Sequence, residues 1–146
     1  MAKFEPSACG KFRKPQKGKS GKISGFASER SRSLSTGRFG LKVLDGVRVT
    51  PSQLESMRKV LVNKLGRYMV ITFRVFCHMS ITAKPIAVRM GGGKGSPDHY
   101  VALMRKGQVI FEVDGEADGS VIKDAIAAAS KKLGCATRII EMGVFY

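Results

Sequence analysis

From Phe39 onward the apolar positions fall into short periodic runs separated by turn residues. Phe39-Gly40-Leu41-Lys42-Val43-Leu44, Asp45-Gly46 and Val47-Arg48-Val49 read as a hairpin closed by an Asp-Gly turn. Thr50-Pro51-Ser52-Gln53 then reads as a helix start: Thr50 caps, Pro51 takes the first helical position, and Gln53 completes a capping box. Leu54, Met57, Leu61 and Leu65 recur at helical spacing and predict the buried stripe, with Gly66 as the stop and Arg58, Lys59, Lys64 and Arg67 on the exposed flanks. Val70 to Phe76 and Ile86 to Met90 are β-branched or aromatic enough to predict strands, with a loop containing Pro85 between them. A glycine run, Gly91-Gly92-Gly93-Lys94-Gly95, precedes a strand from Tyr100 to Met104, a Lys106-Gly107 turn and a strand from Gln108 to Val113. A second helix follows, capped by Asp118 or Ser120, with Val121, Ile122, Ala125, Ile126, Ala129 and Leu133 on its apolar side and Gly134 as its stop. Thr137 to Met142 predicts the last strand. Strands and two helices mix irregularly and no long repeat occurs, so the class is α+β.

The first 36 residues break this pattern. They are rich in Gly, Ser and Lys, with Phe4, Phe12, Ile23, Phe26 and Leu34 standing alone, too little apolar surface to fold by themselves. Two regions are therefore expected: a basic extended arm over 1–36, ordering on its partner, and an α+β domain over 37–146. A plain tail or an organelle-targeting segment shares this composition, but the early acidic residues, the prolines and the lack of an amphipathic stripe favour a binding arm. At 146 residues and 15.8 kDa the chain has room for one core. No apolar run approaches the roughly 20 residues that cross a bilayer, and no apolar signal core follows Met1, so a soluble, unsecreted protein without membrane contact is expected.

Charge sharpens this picture. Lys and Arg number 26 against 11 Asp and Glu, a net charge of +15. Residues 1–42 hold eleven of the basic residues and only Glu5 and Glu29, whereas residues 105–146 are neutral. A charge polarised along the chain points to a polyanion held by the first two thirds, with the last third serving folding.

The candidate chemistry narrows mainly by exclusion. Cys9, Cys77 and Cys135 are odd in number, widely spaced and without a CxxC, so neither a disulfide framework nor a zinc site is expected. Cys77 and His78 are adjacent and face opposite ways on an extended chain, which does not make a nucleophile and base pair. The glycine loop is not a Walker motif, because Val88 stands where the first Gly is needed and Gly95 where the magnesium-binding hydroxyl is needed. Asp114-Gly115-Glu116-Ala117-Asp118 starts like a calcium loop, but its twelfth position is Ala125 instead of a bidentate Glu. No cofactor or enzymatic activity is expected. What remains is a side-chain-free backbone at Gly91, Gly92 and Gly93 flanked by Arg89 and Lys94, able to approach phosphates closely. With no Trp and three Tyr, phosphate contacts are expected to dominate over base stacking.

Residues 80–95, Ser-Ile-Thr-Ala-Lys-Pro-Ile-Ala-Val-Arg-Met-Gly-Gly-Gly-Lys-Gly, resemble the signature of the bacterial and organellar large-subunit ribosomal protein L-sixteen family. Lys11-Phe12-Arg13-Lys14, Lys17-Gly18, Gly37 to Lys42, Arg74-Val75-Phe76 and Glu112 to Gly115 support it in the same order. The resemblance implies a hammerhead-like α+β fold with mixed sheets, bound to large-subunit rRNA beside the aminoacyl-tRNA site, among neighbouring ribosomal proteins and without a homo-oligomer. By position it implies rRNA contacts at Lys11, Arg13, Lys14, Lys17, Lys19, Lys22, Arg38, Lys42, Arg48, Arg74 and Lys84. It likewise implies a loop near tRNA and the peptidyl transferase centre made of Arg89, Met90, Gly91, Gly92, Gly93, Lys94 and Gly95. Thr72 stands where the family usually has Trp, and Asp98-His99-Tyr100-Val101 after the triple glycine is more similar to mitochondrial members, with a bacterial cytoplasm or plastid as the alternative. The competing expectation is a free-standing RNA-processing or nucleotide-dependent factor that uses the glycine loop.

Overall fold

The computed structural model describes residues 4, 14, 15, 23, 25–66 and 69–143. Its elements are α1 (Glu29–Arg32), β1 (Phe39–Val43), β2 (Val47–Val49), α2 (Pro51–Leu65), β3 (Val70–Phe73), β4 (Met79–Ala83), β5 (Ser96–Met104), β6 (Val109–Asp114), α3 (Gly119–Ser130) and β7 (Thr137–Glu141). They form a four-stranded sheet in the order β3-β6-β1-β7 and a three-stranded sheet in the order β2-β5-β4. The expected α+β class holds. Every named strand pair is antiparallel, and the parallel contact among the described residues is an isolated bridge between Phe26 and Lys106.

The helix signals of α2 act as the sequence predicts, and those of α3 only in part, since α3 ends at Ser130 ahead of the expected Gly134 stop. Thr50 and Gln53 form the reciprocal capping box, Pro51 begins α2, and the Gly66 N–H closes the helix on the Val62 carbonyl with φ of 74°. Leu54, Met57 and Leu61 are fully buried, where α2 packs on α3. From α3 come Ile122, Ala125, Ile126 and Ala129, all buried, whereas Val121 turns to solvent. Asp118 sits at the N-terminus of α3 without a side-chain cap; its carbonyl accepts the Ile122 N–H at 3.1 Å. The core closes over Phe39, Leu41 and Val43 of β1 and Ile110, Phe111 and Val113 of β6.

Three local expectations are corrected. Phe39 to Val49 is no hairpin: β1 pairs with β6 and β7, while β2 pairs with β5 in the other sheet. Asp45-Gly46 is a corner between sheets, and Gly46 is outside the left-handed region that the expected turn requires. The run from Val70 stops being a strand after Phe73: the Arg74 N–H still reaches the Ile110 carbonyl of β6, but by Cys77 the backbone N–H has turned to the Phe4 carbonyl. Ile86 to Met90 is not a strand. Met79–Ala83, read as loop from sequence, takes the place beside β5, and the Ala83–Ser96 pair ends that ladder, so residues 84–95 project beyond the sheet. Pro85 lacks an N–H and Ala87 adopts φ of 73°, both against a ladder there.

Of the described residues ahead of position 37, several touch the body of the domain. Phe4 is buried, its ring 5.0 Å from Phe73, and its carbonyl accepts the Cys77 N–H at 3.1 Å. Ala27 is buried and donates to the Lys106 carbonyl at 2.9 Å.

Candidate nucleic-acid interface

Residues 84–95 form the long loop between β4 and β5, and the alternating Ile86, Val88 and Met90 that read as a strand are exposed, with no strand beside them among the described residues. Ile86 is 99% and Met90 93% exposed. Gly91, Gly92 and Gly93 have φ of 95°, 66° and 88°, and an added Cβ would meet no atom within 4 Å, so backbone conformation and not crowding favours glycine there. The result is a bare, open backbone with cations on its rim. Lys84 Nζ donates to the Gly91 carbonyl at 2.5 Å across the loop. Lys94 donates to the Pro15 carbonyl, and Lys14 Nζ returns a bond to the Lys94 carbonyl at 2.9 Å, so the arm segment lies directly on the loop. Arg89 is exposed and makes no ion pair among the described residues.

The expected rRNA-contact residues divide. Lys11, Arg13, Lys17, Lys19 and Lys22 lie outside the described residues. Lys14 and Lys84 join the loop, as above. Arg38 is exposed at the entry to β1, its guanidinium 5.3 Å from the Phe39 ring centroid; Lys42 is half-buried in β1 and Arg48 exposed in β2. Arg74 has a different setting. Its guanidinium donates to Glu112 Oε1 at 2.6 Å, to the Ser33 carbonyl at 2.6 Å and to the Arg30 carbonyl at 2.7 Å. Those bonds hold α1 and its exit against the sheet, which leaves Arg74 few donors for phosphate.

Glu112 is the other end of that staple and is 1% exposed. Its carboxylate also accepts the N–H groups of Ser35, Thr36 and Gly37 at 3.2, 2.9 and 2.9 Å, and the Thr36 hydroxyl at 3.1 Å. Burial alone would raise its pKa, but the donors of Thr36, Gly37, Arg74 and Ser35 outweigh that and hold it at about 2. A carboxylate so surrounded is a structural acceptor with no proton to exchange near neutrality. The sequence signal for it exists: Glu112 interrupts a strand whose neighbours Val109, Ile110, Phe111 and Val113 are all buried, and a charge there requires donors. Which donors arrive depends on residues 33–37, which have no periodicity to read.

The described residues form no catalytic constellation. Cys77 is buried with its thiol 3.8 Å from the Val49 carbonyl, His78 is exposed, and no group of three metal-ligating side chains occurs among the described residues. No described helix is long and apolar enough to cross a membrane.

Relatives match nearly the whole chain. A family model described as ribosomal protein L16p/L10e matches residues 9–140. A protein of Methylorubrum extorquens named large ribosomal subunit protein uL16 is 40% identical over 131 residues, 90% of this chain and 92% of its own. Proteins of the same name from Acidiphilium cryptum and Rhodopseudomonas palustris are 38% and 39% identical over 130 residues, 89% of this chain and 91% of theirs in each case. The matched residues take in the glycine loop, Arg74 and Glu112 and nearly all of both sheets, and the chain belongs to the ribosomal protein L16p/L10e family.

Proposed function

We propose that this chain, by its family a structural component of the large ribosomal subunit and not an enzyme, holds large-subunit rRNA through its N-terminal cations and through Arg38, Lys42 and Arg48, and presents residues 84–95 to tRNA at the aminoacyl site. The observation that carries this reading is the loop itself. Its glycines leave the backbone open, its cations stand on the rim, and Ile86 and Met90 are almost fully exposed. Such a surface suits close approach to a sugar–phosphate backbone with apolar contact to sugars or base faces. A nucleotide-dependent or RNA-processing factor would need a hydroxyl for magnesium or an acid–base pair, and the loop supplies neither.

For the compartment, the reading is a mitochondrial large subunit, on Asp98-His99-Tyr100-Val101 after the triple glycine. The second reading, a bacterial cytoplasm, is favoured by relatives that are bacterial proteins. Sedimentation of the native protein with large subunits from each compartment separates the two.

The arm is tested by replacing Lys11, Arg13, Lys17, Lys19 and Lys22 with Gln in the full chain. Deleting residues 1–36 would be the wrong experiment, because it removes Phe4 from the core and takes the Ser35 and Thr36 donors from Glu112. The slope of log affinity for an rRNA fragment against log salt should become shallower by about 0.9 for each phosphate that is no longer neutralised. An unchanged slope would remove the arm from the interface.

A further inference from the structure

A second surface, on the other sheet from the loop, has its own chemistry. Phe26, Arg32, Lys42, Lys106, Arg138 and Ile140 line an open groove between the α1 segment and the β1–β7 side of the four-stranded sheet. Only Lys42 among them is expected from sequence to meet RNA, and Lys106 and Arg138 come from the net-neutral last third of the chain.

The groove is pre-built. Phe26 and Lys106 form a backbone bridge, the Ala27 N–H bonds the Lys106 carbonyl at 2.9 Å, and the Arg74–Glu112 staple fixes Arg30 and Ser33 on either side of Arg32. Gly107 is where two of the cations converge: a Cβ there would lie 3.1 Å from Arg32 Cδ and 3.8 Å from Lys42 Cε. Beside them Phe26 remains 64% exposed, with Lys106 Nζ over its ring, 5.6 Å from the centroid. The two acids on the rim are Glu29 and Glu141, and Glu141 is paired with Lys123 at 3.0 Å. The balance is cationic around an exposed aromatic face. An acidic protein segment would satisfy the charges but leave the ring without a planar partner, whereas a nucleotide satisfies both.

We propose that this groove is a binding site for one unpaired RNA nucleotide, its base stacked on Phe26 and its phosphate held by Arg32 and Lys42. The site deepens the reading of the chain as an rRNA-binding protein and rests on it. It also gives the protein two RNA contacts of different kinds: an open glycine loop on one sheet and an aromatic, cation-lined groove on the other.

The chain has no tryptophan, so Phe26→Trp places a single reporter in the groove of the otherwise intact protein. A ten-nucleotide oligouridylate should quench its fluorescence, and a short RNA duplex should do so at least several-fold less. Arg32→Ala with Lys42→Ala in that background should weaken the quenching and lower the log–log salt slope by about 0.7 for each cation removed from a phosphate. In the chain with natural Arg32 and Lys42, Phe26→Ala should raise the oligouridylate Kd roughly 5- to 150-fold, the factor for stacking worth about 1–3 kcal/mol. Binding by anisotropy without quenching would overturn the groove while leaving RNA binding intact; no binding at all would overturn both. Equal quenching by the duplex would overturn the unpaired base, and preferential quenching by a polyglutamate peptide would make the groove a protein-docking site instead.

Discussion

Two irregular segments of the chain, 33–37 and 84–95, use polar backbone in opposite ways. In the first, three successive N–H groups converge on one carboxylate, Glu112, which the Arg74 guanidinium closes from the other side. In the second, the backbone around Gly91, Gly92 and Gly93 is left open, with no atom within 4 Å of where their side chains would be. Both segments adjoin β-strands and both are rich in small or polar residues. The difference is that the first turns its donors inward to a buried charge and the second leaves its surface to the outside. Stability should therefore be concentrated in the first and partner recognition in the second, and the two can be separated by substitution.

The largest effect should come from Glu112→Leu. It leaves Arg74 and three backbone donors facing an apolar side chain, and should cost roughly 3–5 kcal/mol in denaturant unfolding. Glu112→Gln, which keeps an acceptor, should cost less. Equal losses for the two would mean that packing volume and not hydrogen bonding dominates at this position.

Acid should act on the same segment. The Glu112 carboxyl is held at about 2 in the folded chain against an ordinary 4.5. The stability it contributes is thus fully present above about 4.5 and is lost as pH falls from there toward 2, with a total near ~3 kcal/mol. Comparing unfolding free energies of the natural chain and Glu112→Gln across that window checks it: the natural chain should lose the extra amount and the variant should not.

How much of the fold is legible in the sequence follows from the range of the interactions. The capping box at Thr50–Gln53, the Leu54–Met57–Leu61 stripe and the buried face of α3 depend on neighbours within two helical turns, and the sequence displays them. The Phe39–Val49 segment reads as a hairpin because an Asp-Gly pair between two apolar runs is the same local signal whether the strands fold back on each other or enter different sheets; only the distant partners β5, β6 and β7 decide. Ile86, Val88 and Met90 alternate like a half-buried strand, but alternation does not say whether a partner exists, and these side chains are exposed. At the interface the glycine loop and its cations are visible as a motif, whereas the contact of Lys94 and Lys14 with each other's segment joins residues about 80 apart, and Arg74 is indistinguishable from a surface cation until Glu112 comes beside it.

A smaller effect is expected within the loop. Gly92→Ala introduces no collision, since nothing lies within 4 Å, but asks Ala to keep φ near 66°. It should cost about 1–2 kcal/mol in unfolding, and a loss several-fold larger would show that the loop supports the fold.

Arg89→Ala with Lys94→Ala decides whether residues 84–95 serve a partner and not the fold. Thermal unfolding of the free chain should stay within about 0.5 kcal/mol of the natural protein, as for exposed side chains generally. Large subunits should still contain the double variant, held by the arm and the basic face, and should accept aminoacyl-tRNA more slowly than subunits with the natural chain. Normal aminoacyl-tRNA acceptance by fully loaded subunits would show that Arg89 and Lys94 have no part in tRNA placement, and loss of the protein from the subunit would show that the loop is itself a principal rRNA anchor.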